Sequence, residues 1–182
     1  MQGGRSKGAH RRLYFPAVTI RLGLVALLAV CLQALAIFGP LGDDDLPRRV
    51  LMLSSYVLLL LFIAANFRYV WIAVLGAGII LNFLVIAANG GLMPITPETL
   101  ERTGGIPAGV ETGDWIPDTK DVLLEEEDAN LYPLSDRIVW DALNPIRAFS
   151  IGDVLVVVGL VIFLVSIAIP RYEEDDQLVL SG

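Results

Sequence analysis

The sequence predicts an all-α membrane protein: an antiparallel four-transmembrane-helix bundle with a long extracytoplasmic loop. Three observations predict it. Four apolar runs lie near residues 17–38, 50–67, 69–88 and 151–169, and a helix of roughly 17–25 residues crosses a hydrocarbon core about 30 Å thick. The 182 residues are 55% hydrophobic and 18% charged, with a mean hydropathy of +0.66. Soluble domains average roughly 45–50% apolar and about 25% charged. Finally, the net charge of −7 is segregated rather than spread, with bases in the N-terminal tail and acids in one long loop.

The elements follow in order. Residues 1–16 form a basic tail with Arg5, Lys7, Arg11 and Arg12 and no acid. The first run, 17–38, is broken by Thr19, Arg21 and Gln33 and ends at Gly39-Pro40. Arg21 sits about one turn inside and is placed to snorkel to lipid phosphates. Asp43 to Asp45 and Pro47 fill a short loop, and Ser54, Ser55 and Tyr56 fall inside the second run. The tight Asn66-Phe67-Arg68 connection makes the second and third helices an antiparallel hairpin. The third run carries Gly78 and Asn82 and stops at Asn89-Gly90-Gly91, where glycine accepts left-handed dihedrals. Residues 17–94 thus hold the first three helices, 95–149 the loop, 150–170 the fourth helix and 171–182 an acidic tail.

The loop carries twelve acids and four bases. Thr96-Pro97-Glu98, with Gly104-Gly105 as the stop, predicts a short helix. Residues 135–143, closed by Asn144-Pro145, predict a second one lying on the membrane surface with Ile138 and Trp140. Leu123, Leu124, Leu131, Ile138 and Trp140 need a surface to cover, so the loop is expected to fold back over the helix ends.

Short loops rich in Lys and Arg stay in the cytoplasm. The basic tail therefore places the N-terminus inside, and alternation puts the 95–149 loop outside and the C-terminus inside. The expected location is a bacterial cytoplasmic membrane, multi-pass. Arg48-Arg49 on the outer side opposes the rule locally. A rival reading is a cleaved signal peptide, with residues 22–32 as its apolar core and Ala34-Leu35-Ala36 as its cleavage site. Cleavage would leave three helices without changing their orientation.

Two stretches carry a resemblance. Residues 82–94, NFLVIAANGGLMP, and residues 149–155, FSIGDVL, resemble the N-G-G-x-M-P and F-S-I-G-D motifs of an uncharacterised family of bacterial four-helix integral membrane proteins. Val122-Leu123-Leu124 and the 134–138 segment LSDRI fall where that family has an apolar strip and an L-x-D-x-I element. The resemblance covers roughly residues 17–170. It implies the topology and a bacterial origin, and it brings no activity.

The residues offer little catalytic chemistry. The single cysteine, Cys31, lies in an apolar run, and the single histidine, His10, lies in the N-terminal tail. A disulfide within the chain is excluded, and no Cys-His or Ser-His pair is expected in the apolar segments. No catalytic residues, metal or cofactor are expected. An acidic chain without a basic stripe is a poor nucleic-acid binder. Glu125 to Asp128 lack the spacing of a calcium loop and read as a solvated face.

Asp153 is the one acid inside an apolar run. It reads either as an ion or proton site or as the third position of a helix capped by Ser150. Asn82 and Asn89 share a helix face. Depths measured from the outer helix ends place Gln33, Ser54, Asn82 and Asp153 roughly 4–9 Å below the surface. An outer-leaflet polar cluster is therefore expected, made by Asp153, Asn82, Asn89, Gly90, Gly91, Gln33, Ser54 and Arg49, with Arg49 the nearest cation. Its bland outcome is a network that fixes helix register, and its sharper outcome is a pocket for an ion or lipid head group. The functional expectation is a non-enzymatic accessory or scaffold subunit presenting its outer loop to a partner. The alternative is a small carrier or channel component using the site around Asp153. Expected partners are the lipid bilayer and a membrane protein or a second copy of the chain.

Overall fold

A computed structural model of the chain describes residues 11–14, 19–42, 45–140, 148–169 and 171–174. Helices dominate. They are α1 (Gly23–Phe38), α2 (Asp45–Asn66), α3 (Val70–Ala88), the short α4 (Pro97–Arg102) and α5 (Ile151–Ala168). Among the described residues α2, α3 and α5 are long and apolar enough to cross a membrane. α1 is equally apolar but reaches only 16 residues.

The first helix starts later than its apolar run. Leu22 has a φ of +56°, and Arg21 is held outside the helix by Asn66. The Asn66 amide accepts from the Arg21 backbone N–H at 2.8 Å and donates to the Arg21 carbonyl at 2.8 Å. Both backbone groups of Arg21 are satisfied across the chain, so the helix begins after them. The second helix starts earlier than expected, at Asp45, with an acid and Pro47 in its first turn. Both suit the positive end of a helix.

The helices pack in chain order. α1 lies on α2, α2 on α3 and α3 on α5, while α1 and α5 share no such seam. Neighbours run antiparallel. Asn66 at the end of α2 meets the start of α1, and Arg48 near the start of α2 donates to the Ala36 carbonyl at the end of α1. On the α3–α5 seam, Gly78 abuts the backbone at Gly152 and Val156, and Gly159 abuts Leu75. Small residues let these two backbones approach closely. Met52, Tyr56, Ile72, Ile79 and Ile86 fill the core between the helices.

The segment between α3 and α5 builds a small unit of its own. β2 (Met93–Ile95) pairs in parallel with β3 (Asp121–Leu123), Pro94 opposite Val122. Trp115 adds an antiparallel bridge to Val122. Ile95, Leu100, Ile116 and Leu123 form a second core, with Val110 and Ala148 against it. α4 is capped by the Thr96 hydroxyl, which accepts from the Thr99 N–H. The helix expected over 135–143 is not found where the chain is described. A 3-10 turn covers Tyr132–Leu134, and Ile138 exchanges backbone hydrogen bonds with Phe149 at 2.9–3.0 Å. That bridge holds Ile138 extended, so the apolar spacing there reflects a strand-like contact rather than a helix face. Residues 141–143 of that expected helix, with the Asn144-Pro145 stop, lie outside the described residues. At the opposite end, β1 (Arg11–Tyr14) pairs antiparallel with β4 (Arg171–Glu174), which brings the flanks of the first and last long helices to one side.

Candidate functional site: an ion-pair cluster beneath the unit between α3 and α5

The cluster forms where the 89–150 segment meets the helices. α5 opens on a capping box. The Ser150 hydroxyl accepts from the Asp153 N–H at 2.9 Å, and the Asp153 carboxylate accepts from the Ser150 N–H at 3.1 Å. Ser150-x-x-Asp153 is the spacing that satisfies two orphan donors at once. Capping leaves the carboxylate with room for more donors, and it takes two. The Asn82 amide of α3 donates to Oδ1 at 2.7 Å, and the Lys120 ammonium approaches Oδ2 at 2.8 Å. Asn82 is itself fixed, since its Oδ1 accepts from the Ser150 hydroxyl at 2.8 Å.

Lys120 lies just before β3 in the unit between α3 and α5. It also reaches Asp136, whose Oδ2 is 3.3 Å away. Asp136 is 2% exposed, and its backbone N–H donates to the Pro94 carbonyl. One ammonium therefore ties this unit to itself through Asp136 and to α5 through Asp153. Tyr56 of α2, 5% exposed, faces Asn82 from the other side. Burial pushes the Asp136 carboxyl well above the usual carboxylate range, against the pull of Lys120. Burial acts against the Lys120 ammonium too, but Asp136 and Asp153 outweigh it and hold the lysine well above its ordinary value.

Of the eight residues expected to cluster, Asp153 and Asn82 are joined directly. Asn89 lies elsewhere at the same end, donating to the Val85 and Asn130 carbonyls and accepting from the Asn130 N–H. Gly90 and Gly91 pack on Arg49, and the Gly90 carbonyl accepts from that guanidinium at 3.1 Å. Gly91 has a φ of +106°, and a Cβ there would come within 2.8 Å of the Arg49 Cβ. Arg49 pairs with Asp45 at 3.6 Å rather than with Asp153. Gln33 is half-buried on α1 and lines a groove with Asn82 and Asp153, while Ser54 is exposed. The cation beside Asp153 is Lys120, which sequence reasoning missed. Its signal was present: it is the one lysine of the loop and stands two residues before the apolar strip at Val122.

A second fastening lies nearby. Arg48 is 4% exposed, stacks 3.5 Å from the Trp115 ring centre and donates to the Ala36 carbonyl. It joins the unit between α3 and α5 to α1 and α2. Among the described residues, no group of three or more His, Cys, Asp or Glu is placed to hold a metal ion.

Residues 17–165 match the model of a family of unknown function, DUF5317. The chain belongs to that family. No curated protein and no solved structure matches it significantly. The DUF5317 match covers α1 to α3, the unit between α3 and α5, and all but the last three residues of α5, so the Lys120–Asp153 contact lies within the family region.

Proposed function

We propose that this DUF5317 protein is a four-span membrane scaffold with both termini in the cytoplasm, presenting a folded extracytoplasmic platform to a membrane-protein partner. One observation carries the reading. Asp153, the group that would have to serve an ion pathway, is engaged by Lys120, Asn82 and Ser150. Its chemistry is spent on fastening the platform to the helices. The platform has its own core and a solvated acidic edge at Glu125, Glu126, Glu127 and Asp128. The carrier alternative draws on the groove beside Asp153, but a carboxylate locked in three hydrogen bonds suits register better than exchange.

The test is photo-crosslinking in native membranes, with the reactive group at Glu126 on the platform or at Phe67 on the opposite turn. The expected result is one recurrent polypeptide adduct at Glu126, weakened by Lys120→Met and absent at Phe67. Proteoliposome ion flux that disappears in Asp153→Asn, without such an adduct, would overturn the scaffold in favour of the carrier.

A further inference from the structure

We propose that a mixed-charge cleft on the unit between α3 and α5 binds a short zwitterionic peptide, of dipeptide size, by its free carboxylate and its free ammonium. The site uses none of the residues of the Lys120 cluster and stands whether or not the unit serves as a scaffold. The cleft holds about 320 Å³, within the roughly 300–1,000 Å³ of small-molecule sites. Glu98, Arg102, Glu126, Tyr132, Pro133 and Arg137 form its walls, and Thr99 also lines it.

Charge makes the case. Residues 95–149 hold twelve acids and four bases. Lys120 is spent on Asp136 and Asp153, and Arg147 lies outside the described residues. The two remaining bases, Arg102 and Arg137, both line this cleft. A surface that neutralised itself would bring them onto Glu98 and Glu126. Among the described residues, neither guanidinium and neither carboxylate has an ion pair. The four charges sum to zero, two of each sign. A simple anion or cation would therefore meet like charges as well as opposite ones, and an uncharged ligand would leave all four unmatched. A zwitterion satisfies both signs. A guanidinium fork donates to both oxygens of a carboxylate, and the glutamates accept from an ammonium.

The backbone fixes the walls. Glu98 and Arg102 are four residues apart on α4 and share a face. The Thr99 hydroxyl lies 3.0 Å from that of Thr96. The Arg137 N–H donates to the Phe149 carbonyl at 3.2 Å, and its guanidinium lies 5.0 Å from the Tyr132 ring centre. Leu131 enters the 3-10 turn at a φ of +55°, a left-handed conformation that is unfavourable for a residue other than glycine. Tyr132 and Pro133 follow it into the cleft wall. Spacing sets the size of the ligand. Four helical residues rise about 6 Å, and two extended residues span about 7 Å. The acid and base of α4 are thus spaced for charges at the two ends of a dipeptide, rather than for those carried on the single Cα of an amino acid.

Calorimetric titration tests this. The full chain, purified in mild detergent at low salt, is titrated with glycylglycine, N-acetylglycylglycine and glycylglycinamide. One-site binding of glycylglycine is expected, with each blocked peptide weaker by about tenfold or more. Arg102→Gln and Arg137→Gln should erase the preference for a free carboxylate, and Glu126→Gln the preference for a free ammonium. All three side chains are exposed, so the variants should melt like the parent. Equal binding of the three peptides, or no saturation by glycylglycine up to about 10 mM, would overturn the proposal. So would variants that melt like the parent and keep both preferences.

Discussion

Lys120 works as a bolt because, among the described residues, its ammonium is the positive charge between Asp136 and Asp153. Removing it leaves two carboxylates without their cation in a poorly hydrated place. Lys120→Met should lower stability by about 3 kcal/mol, read as a lower denaturation midpoint in detergent and as faster proteolysis within residues 95–140. Asp153→Asn is less conservative than its shape implies. Asn82, Lys120 and the Ser150 N–H all donate to that carboxylate, and an amide would turn a donor toward donors. We expect a loss of about 1–3 kcal/mol, with the helices intact by circular dichroism. The pH response has a definite sign. A lysine raised above its ordinary 10.5 stabilises the fold fully below that value and loses its contribution as pH rises through the folded value. The groups facing it are Asp136, Asp153, Asp121 and Tyr56. Proteolytic protection of the platform should therefore fall in alkali above about 10.5. Lys120→Met should remove that step, and Tyr56→Phe should leave it.

At the scale of elements, the α3–α5 seam depends on the absence of side chains. A Cβ on Gly159 would come within 2.6 Å of the Leu75 Cβ. Gly159→Ala should cost about 1–3 kcal/mol by overpacking, measured as a lower melting temperature. Gly23→Ala, which meets only ordinary contacts, serves as its control. The helices were legible because apolar runs announce themselves and because Ser150, Thr96 and Asn89-Gly90 mark ends with local chemistry. What escaped was non-local. Nothing near Arg21 says that Asn66, 45 residues away, will bind its backbone and delay α1. The Met93–Ile95 strand is too short to show alternation, and its parallel partner lies beyond α4. Asp153 was legible as an oddity, and its cap could be read from Ser150. Its cation could not, since sequence distance from helix ends favoured Arg49 over a lysine 33 residues upstream.

For the whole molecule, the proposed orientation makes a direct prediction. A maleimide that cannot cross membranes should label Glu126→Cys in intact cells, and Phe67→Cys only after the membrane is opened. The reverse pattern would refute the topology. The same long-range fastening also sets a timetable for biogenesis. Synthesis runs at about 5–20 residues per second, so Asp153 leaves the ribosome about 2–7 s after Lys120. During that interval the segment between α3 and α5 can close its own strands and, once Asp136 has emerged, the Lys120–Asp136 pair. It cannot be fastened to the last helix until that helix has been inserted. The contact at Asp153 is therefore a completion signal. A chain stalled or truncated before residue 150 leaves its lysine half-paired and the unit held only to the earlier helices, through Arg48 and Asn89, and surveillance proteases at the membrane surface would meet it in that state.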